Sequence, residues 1–249
     1  MYRPTPRKLG VHARLVRFGL KPGARAEFES LYASRILPAL EGTAGFLGAA
    51  LLSHLAAEEA IVSLTFWRER GAAEAYDRTG RFARLLNEAE ALIAEEGEAG
   101  PVLPAGGDVS VEGYAAELLV EARLAGALLP GCVARTVTLR VDPGMREEFD
   151  RRYRAEVATA RQDFPGLVAV LLLHAVERPG LVVGLSVWRG EDDAARYDLS
   201  GRFQELGRDL SETLSPAARW RAAWSAGGDT EGAPDLEVDL YRVRLARAI

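Results

Sequence analysis

Apolar residues fall along this chain in two rhythms. Residues 11–20 and 61–67 are mixed stretches of strand length, rich in apolar side chains, whereas Phe28, Leu31, Tyr32 and Ile36 recur at helical spacing. The first strand is closed by Lys21-Pro22-Gly23, where proline fixes φ and cannot donate to a ladder. A second strand follows Gly45 and reads FLGAALL, apolar at every position. Such a strand is expected to be covered on both faces. The third strand alternates in kind rather than polarity. Val62, Leu64 and Phe66 make a bulky row, and Ser63 and Thr65 make a small polar row that ends at Trp67. A helix with Tyr76, Gly80 and Phe82 comes next, then a Gly/Pro-rich linker at 96–108 and a fourth strand near 109–120.

The whole pattern then repeats. At a constant offset of 121, residues 10–93 align with 131–214 without a gap, and 25 of the 84 pairs are identical. They include Arg14/Arg135, Phe28/Phe149, Tyr32/Tyr153, Trp67/Trp188, Tyr76/Tyr197 and Phe82/Phe203. A fixed-period match of this length is one domain duplicated in tandem. Each copy reads β-α-β-β-α-β, a ferredoxin-like layer of helices on one sheet. The expected fold class is α+β: two ferredoxin-like repeats, residues 9–128 and 129–249, whose sheets face each other in a pseudo-dimeric α+β barrel. Residues 1–8 read as a loose tail, and residues 225–234 as the linker before a last strand at 236–245.

Composition narrows the function. With 48% hydrophobic and 27% charged residues the chain is of globular type, large enough for two cores. Its apolar runs reach about seven residues, against roughly 20 for a membrane span. The opening MYRPTPRKLG has no apolar stretch of the signal-peptide kind, so a cytoplasmic location is expected. Cys132 is the only cysteine, which excludes an intramolecular disulfide and a thiolate metal site. A net charge of −5 without a basic cluster argues against nucleic acid. Gly42, Gly45 and Gly48 precede a strand, whereas phosphate cradling needs a strand-to-helix turn. A tightly bound metal or nucleotide is therefore not expected.

The motifs Val141-Asp142-Pro143-Gly144, a first helix with Phe and Tyr, Pro165-Gly166 before strand two, and a third strand ending in Trp resemble the antibiotic biosynthesis monooxygenase superfamily. Its members are dimeric α+β barrels of aromatic polyketide pathways, and the tandem form is similar to oxygenases that open or rearrange the quinone ring of angucycline-type polyketides. The resemblance implies an oxygenase acting on a polycyclic phenol or hydroquinone by hydroxylation, quinone formation or ring opening. Molecular oxygen would be the co-substrate, and reduced flavin from a separate flavin reductase the alternative electron source. The internal pseudo-dimer would be a monomer or pair into a homodimer. The haem-degrading branch uses an Asn, a Trp and a His where this chain has Val16/Val137, Tyr76/Tyr197 and Leu86/Gly207, so haem degradation is not expected. The quinone-forming branch has an Asn four residues before the strand-three Trp. Ser63 and Gly184 stand there, so no amide is present to make the family's usual hydrogen bond to a phenolate or oxyanion.

The candidate residues follow from this frame. His174 is the expected base and Tyr197 the phenolate contact. Trp188, Ser186 and Gly184 are expected to line the pocket, with Trp67, Tyr76, Ser63, Thr65 and His54 as the N-terminal set. His12 begins a strand and is expected to be exposed. Arg14/Arg135 and Arg81/Arg202 recur in both copies, as scaffold ion pairs would. From copy one to copy two, Phe18 becomes Leu139, Ile36 becomes Val157, Phe46 becomes Leu167, Ser63 becomes Gly184 and Leu86 becomes Gly207. This trimming predicts the larger pocket in the C-terminal copy, with His174 in reach. A cofactor-free cyclase or isomerase and a non-catalytic aromatic-ligand binder are the alternatives, and oxygen uptake separates all three.

Overall fold

The strands that are apolar on both faces decide the architecture. In the computed structural model, which describes residues 11–95, 109–120, 127–219 and 236–248, they lie between a shared interior and two separate helical layers. The N-terminal copy runs β1 (Val11–Gly19), α1 (Arg25–Leu31), a π-helical turn (Tyr32–Ile36), α2 (Leu37–Glu41), β2 (Phe46–His54), β3 (Ala60–Trp67), α3 (Arg70–Arg78), α4 (Arg81–Ala89) and β4 (Ser110–Val120). The second copy runs β5 (Val133–Arg140), α5 (Arg146–Asp163), β6 (Leu167–Ala175), β7 (Leu181–Trp188), α6 (Glu191–Leu199), α7 (Arg202–Leu210) and β8 (Leu236–Ala248). The tail at 1–8 and the linkers at 96–108 and 225–234 lie outside the described residues.

All eight strands close into one antiparallel barrel in the order β1-β3-β2-β8-β5-β7-β6-β4. The sheets therefore do more than face each other. β4 pairs with β1 of its own copy and β6 of the other, and β8 pairs with β5 and β2. Each copy's last strand thus satisfies the free edges of both sheets, which would otherwise expose unpaired backbone groups.

Alternation along the strands separates the cores. Leu15, Leu52, Leu64 and Phe66 meet Leu171, Leu173, Leu185 and Tyr241 inside the barrel. The opposite faces of β2 and β6 give Leu51 and Leu172 to the two helical layers. Each buried side chain of this size contributes about 1.5–3 kcal/mol, so both faces of these strands add to the cores. His12 departs from expectation: it is buried, because the β1–β4 ladder sets Gly113 against its ring.

The helical layers differ in one respect. Pro38 has no N–H to give to Ser34, and Leu37 N–H reaches back five residues to the Tyr32 carbonyl instead. Thr159 replaces Pro38 in the second copy, and α5 runs unbroken for 18 residues. In both copies the second helix is split at a left-handed glycine, Gly80 (φ 69°) and Gly201 (φ 79°), a conformation glycine adopts without penalty. No helix among the described residues is long and apolar enough to cross a membrane.

Candidate functional site

The space between helices and sheet is unequal in the two copies. In the C-terminal copy a cavity of about 570 Å³ lies between α5, α6, α7 and the outer faces of β5, β6 and β7. The matching space in the N-terminal copy is about 60 Å³. Phe18, Ile36 and Leu86 line the small space, and their counterparts Leu139, Val157 and Gly207 line the large one. A Cβ built on Gly207 would meet nothing within 4 Å.

Two features of the site are scaffold, since both copies have them. Trp188 Nε1 donates to Ser186 Oγ at 3.0 Å, as Trp67 Nε1 does to Thr65 Oγ1. Each indole packs on the following tyrosine, Trp188 on Tyr197 at 5.1 Å between centroids and Trp67 on Tyr76 at 5.4 Å. Arg135 pairs with Asp198 at 3.1 Å and lies over the Phe203 ring, as Arg14 pairs with Asp77 at 2.6 Å and lies over Phe82. Arg202, by contrast, serves the C-terminal copy: it reaches Glu156 at 3.5 Å, Asp163 at 3.6 Å and Glu205 at 3.2 Å.

Other features belong to the large cavity alone. In the N-terminal copy Tyr32 Oη bonds Ser63 Oγ at 2.9 Å. In the C-terminal copy Gly184 replaces the serine, and Tyr153 Oη lies where a Cβ on Gly184 would be, 2.5 Å from its ideal position. Tyr153 Oη has no hydrogen-bond partner among the described residues, although a buried phenol ordinarily finds one. Burial raises its pKa well above the ordinary tyrosine value, with Tyr197 adding to the effect. Tyr197 is pushed up to about 12, chiefly by burial. Both phenols are therefore protonated donors at neutral pH. Glu156 also faces the cavity from α5, one turn after Tyr153.

The candidates from sequence divide accordingly. Trp188, Ser186, Gly184 and Tyr197 line the large cavity together. Ser63 and Tyr76 line the small one, while Thr65 and Trp67 are buried beside it in their hydrogen bond. His174 is not brought to the large cavity. It lines a separate space of about 120 Å³ beside Arg146, with its Nε2 3.1 Å from Asp150 Oδ1. Burial raises the Asp150 carboxyl, but the nearby His174 imidazole, with the charges of Arg154 and Arg146, outweighs it and leaves the pKa lowered. His54 is a turn cap: its Nδ1 accepts from the Ala56 and Ala57 N–H groups, both at 3.1 Å. Tyr153 and Glu156 were absent from the sequence candidates. The exchanges Ser63/Gly184 and Arg35/Glu156 are the signals that point to them.

Residues 12–88 and 132–208 each match the family described as antibiotic biosynthesis monooxygenase. The chain belongs to that family. Membership makes it an enzyme of the monooxygenase type, and the two matched segments are the two copies. Solved structures agree on the fold. A candidate monooxygenase from Fusobacterium nucleatum superposes with a TM-score of 0.67 at 10% identity, covering 96% of this chain and 94% of its own. One from Lactobacillus acidophilus gives 0.62 at 10% identity, covering 96% and 99%. An anthrone oxidase-like protein gives 0.57 at 14% identity, covering 96% and 93%. No curated protein sequence matches the chain.

Proposed function

We propose that the C-terminal cavity binds a flat polycyclic phenol or hydroquinone of the polyketide class and that the enzyme oxygenates it with dioxygen. The observation that carries this reading is the asymmetry of about 570 against 60 Å³ between duplicated spaces. A ligand cavity of a few hundred Å³ with apolar walls and few polar groups suits a drug-sized aromatic molecule. Trp188 and Tyr197 supply flat walls. Tyr153 and Tyr197 donate to the substrate oxygen, and Tyr153 takes the place of the side chain that Gly184 lacks. The family membership and the anthrone oxidase-like relative of the fold favour the same class.

The chemistry asks little of the protein beyond orientation, a dry pocket and proton handling. A CH₂ group flanked by phenol rings would become C=O, one oxygen atom entering and the other leaving as water, with all four electrons drawn from the substrate. Hydroxylation of a ring C–H would instead need two electrons from reduced flavin delivered by a reductase.

Oxygen uptake with a panel of polyketide hydroquinones, with and without reduced flavin, is the test. The wild type should consume oxygen, and His174→Ala should do so at the same rate, since His174 lies outside the cavity. Product formation without oxygen uptake would make the enzyme an isomerase or cyclase. Binding without any product would make it a carrier.

A further inference from the structure

Among the described residues Glu156 is the one carboxylate on the cavity wall, and its position carries opposite charge in the two copies. Arg35 stands there in the N-terminal copy and points outward to Glu88 at 3.2 Å. In α5 the spacing of Tyr153, Glu156, Val157 and Ala160 places all four on one stripe that lines the cavity. Glu156 Oε1 is buried and has no hydrogen-bond partner among the described residues. Its nearest cation, Arg202 Nε, stands 3.5 Å away and is likewise without a hydrogen bond. A buried carboxylate oxygen left without a donor costs about 1–3 kcal/mol or more, so such a group is retained where a ligand supplies the missing proton.

We infer that Glu156 accepts the proton of the substrate's phenolic hydroxyl, an inference that rests on the oxygenase reading above. The phenol O–H bond breaks, its electron pair stays on the phenolate oxygen, and the proton passes to Oε1. A neutral carboxylic acid and a phenolate result, with total charge unchanged. Tyr153 Oη–H and Tyr197 Oη–H then donate to the new oxyanion. They cannot themselves act as the base, because both are held protonated by burial. The phenolate gives electrons to dioxygen more readily than the phenol. Arg202 tolerates the change, since Glu205 and Asp163 still balance it after Glu156 becomes neutral.

The groups facing Glu156 are consistent with this task. Burial raises its pKa, Arg202 opposes the rise, and Asp209, Glu205 and Asp163 reinforce it. Tyr197 faces it from α6, and its own pKa is raised in part by the Glu156 charge. A base with a raised pKa stands closer to the operating pH, where proton transfer is most effective.

The experiment compares wild type, Glu156→Gln and Glu156→Asp on a hydroquinone that the wild type consumes. Binding of a redox-inert hydroxyanthraquinone is followed in parallel by quenching of tryptophan fluorescence. The Gln variant should bind the quinone within about threefold of wild type and lose turnover by roughly 10²–10⁴-fold, the range for a lost general base. It should also lose the limb of the kcat/KM profile that rises with pH as the carboxyl ionises, a limb the Asp variant keeps. Wild-type turnover and an unchanged limb in the Gln variant would overturn the assignment. So would equal loss of binding and turnover in both variants, which would make Glu156 a packing residue. A wild type that consumes no oxygen with any hydroquinone defeats the oxygenase reading itself and takes this inference with it, and it is recognised before any substitution is made.

Discussion

Tyr32 and Tyr153 occupy the same place in two copies of one domain and have different obligations. Tyr32 Oη has Ser63, and removing the hydroxyl leaves the buried serine without its partner. Tyr32→Phe should therefore cost about 0.5–1.5 kcal/mol in denaturant unfolding, the usual net value of such a bond. Tyr153→Phe removes a hydroxyl that is bonded to nothing described, so stability should hold or rise slightly while turnover falls. Equal destabilisation by both substitutions would mean that Tyr153 is structural. This contrast was readable from the Ser63/Gly184 exchange only once the two tyrosines were known to point at that strand. The error over His174 has a related cause. Alternation puts His174 on the same face of β6 as Val170 and Leu172, toward the helices. Four residues of strand span about 13 Å, however, and a period-two pattern does not say at which end of the sheet the cavity lies.

At the scale of elements, α7 shows what emptied the second copy. Gly207 stands in the middle of the helix, where glycine costs about 1 kcal/mol relative to alanine. It faces open space, and Leu86 fills the same place in α4. Gly207→Leu should raise stability by about 1–2 kcal/mol through helix propensity and added burial, and should abolish ligand binding. Thermal unfolding and fluorescence titration would check the two halves of that statement, and a variant that still binds the ligand would show that the space beside α7 is unused. The elements themselves were legible because the repeat stated each one twice, with matching caps and apolar rows. The pairing of β4 with β6 and of β8 with β2 was not legible. Facing sheets and a closed barrel need the same alternation, and only the partners of the edge strands distinguish them.

The whole molecule stores several phenols away from water, and this sets its alkaline limit. Tyr32 and Tyr197 are each pushed up to about 12, in both cases chiefly by burial. Unfolded tyrosines ionise near pH 10, so between about pH 10 and 12 the unfolded chain binds fewer protons than the folded one, and stability falls with rising pH. The thermal midpoint should thus be insensitive to these groups below about pH 10 and drop steeply above it, with tyrosinate absorbance appearing together with unfolding. Ionisation of most tyrosines well before unfolding would contradict the burial described here. The exchange of last strands has a further consequence, for the order in which the protein can be made. β2 ends at His54, yet its second neighbour, β8, begins at Leu236. During synthesis the sticky edge FLGAALLSH must wait through about 180 further residues before its partner leaves the ribosome. The nascent first half therefore carries an open, largely apolar β-edge, a template for mispairing between neighbouring polysomal chains. Duplication put both copies in one chain, and it made β8, the far strand of the second copy, the one that completes the sheet of the first.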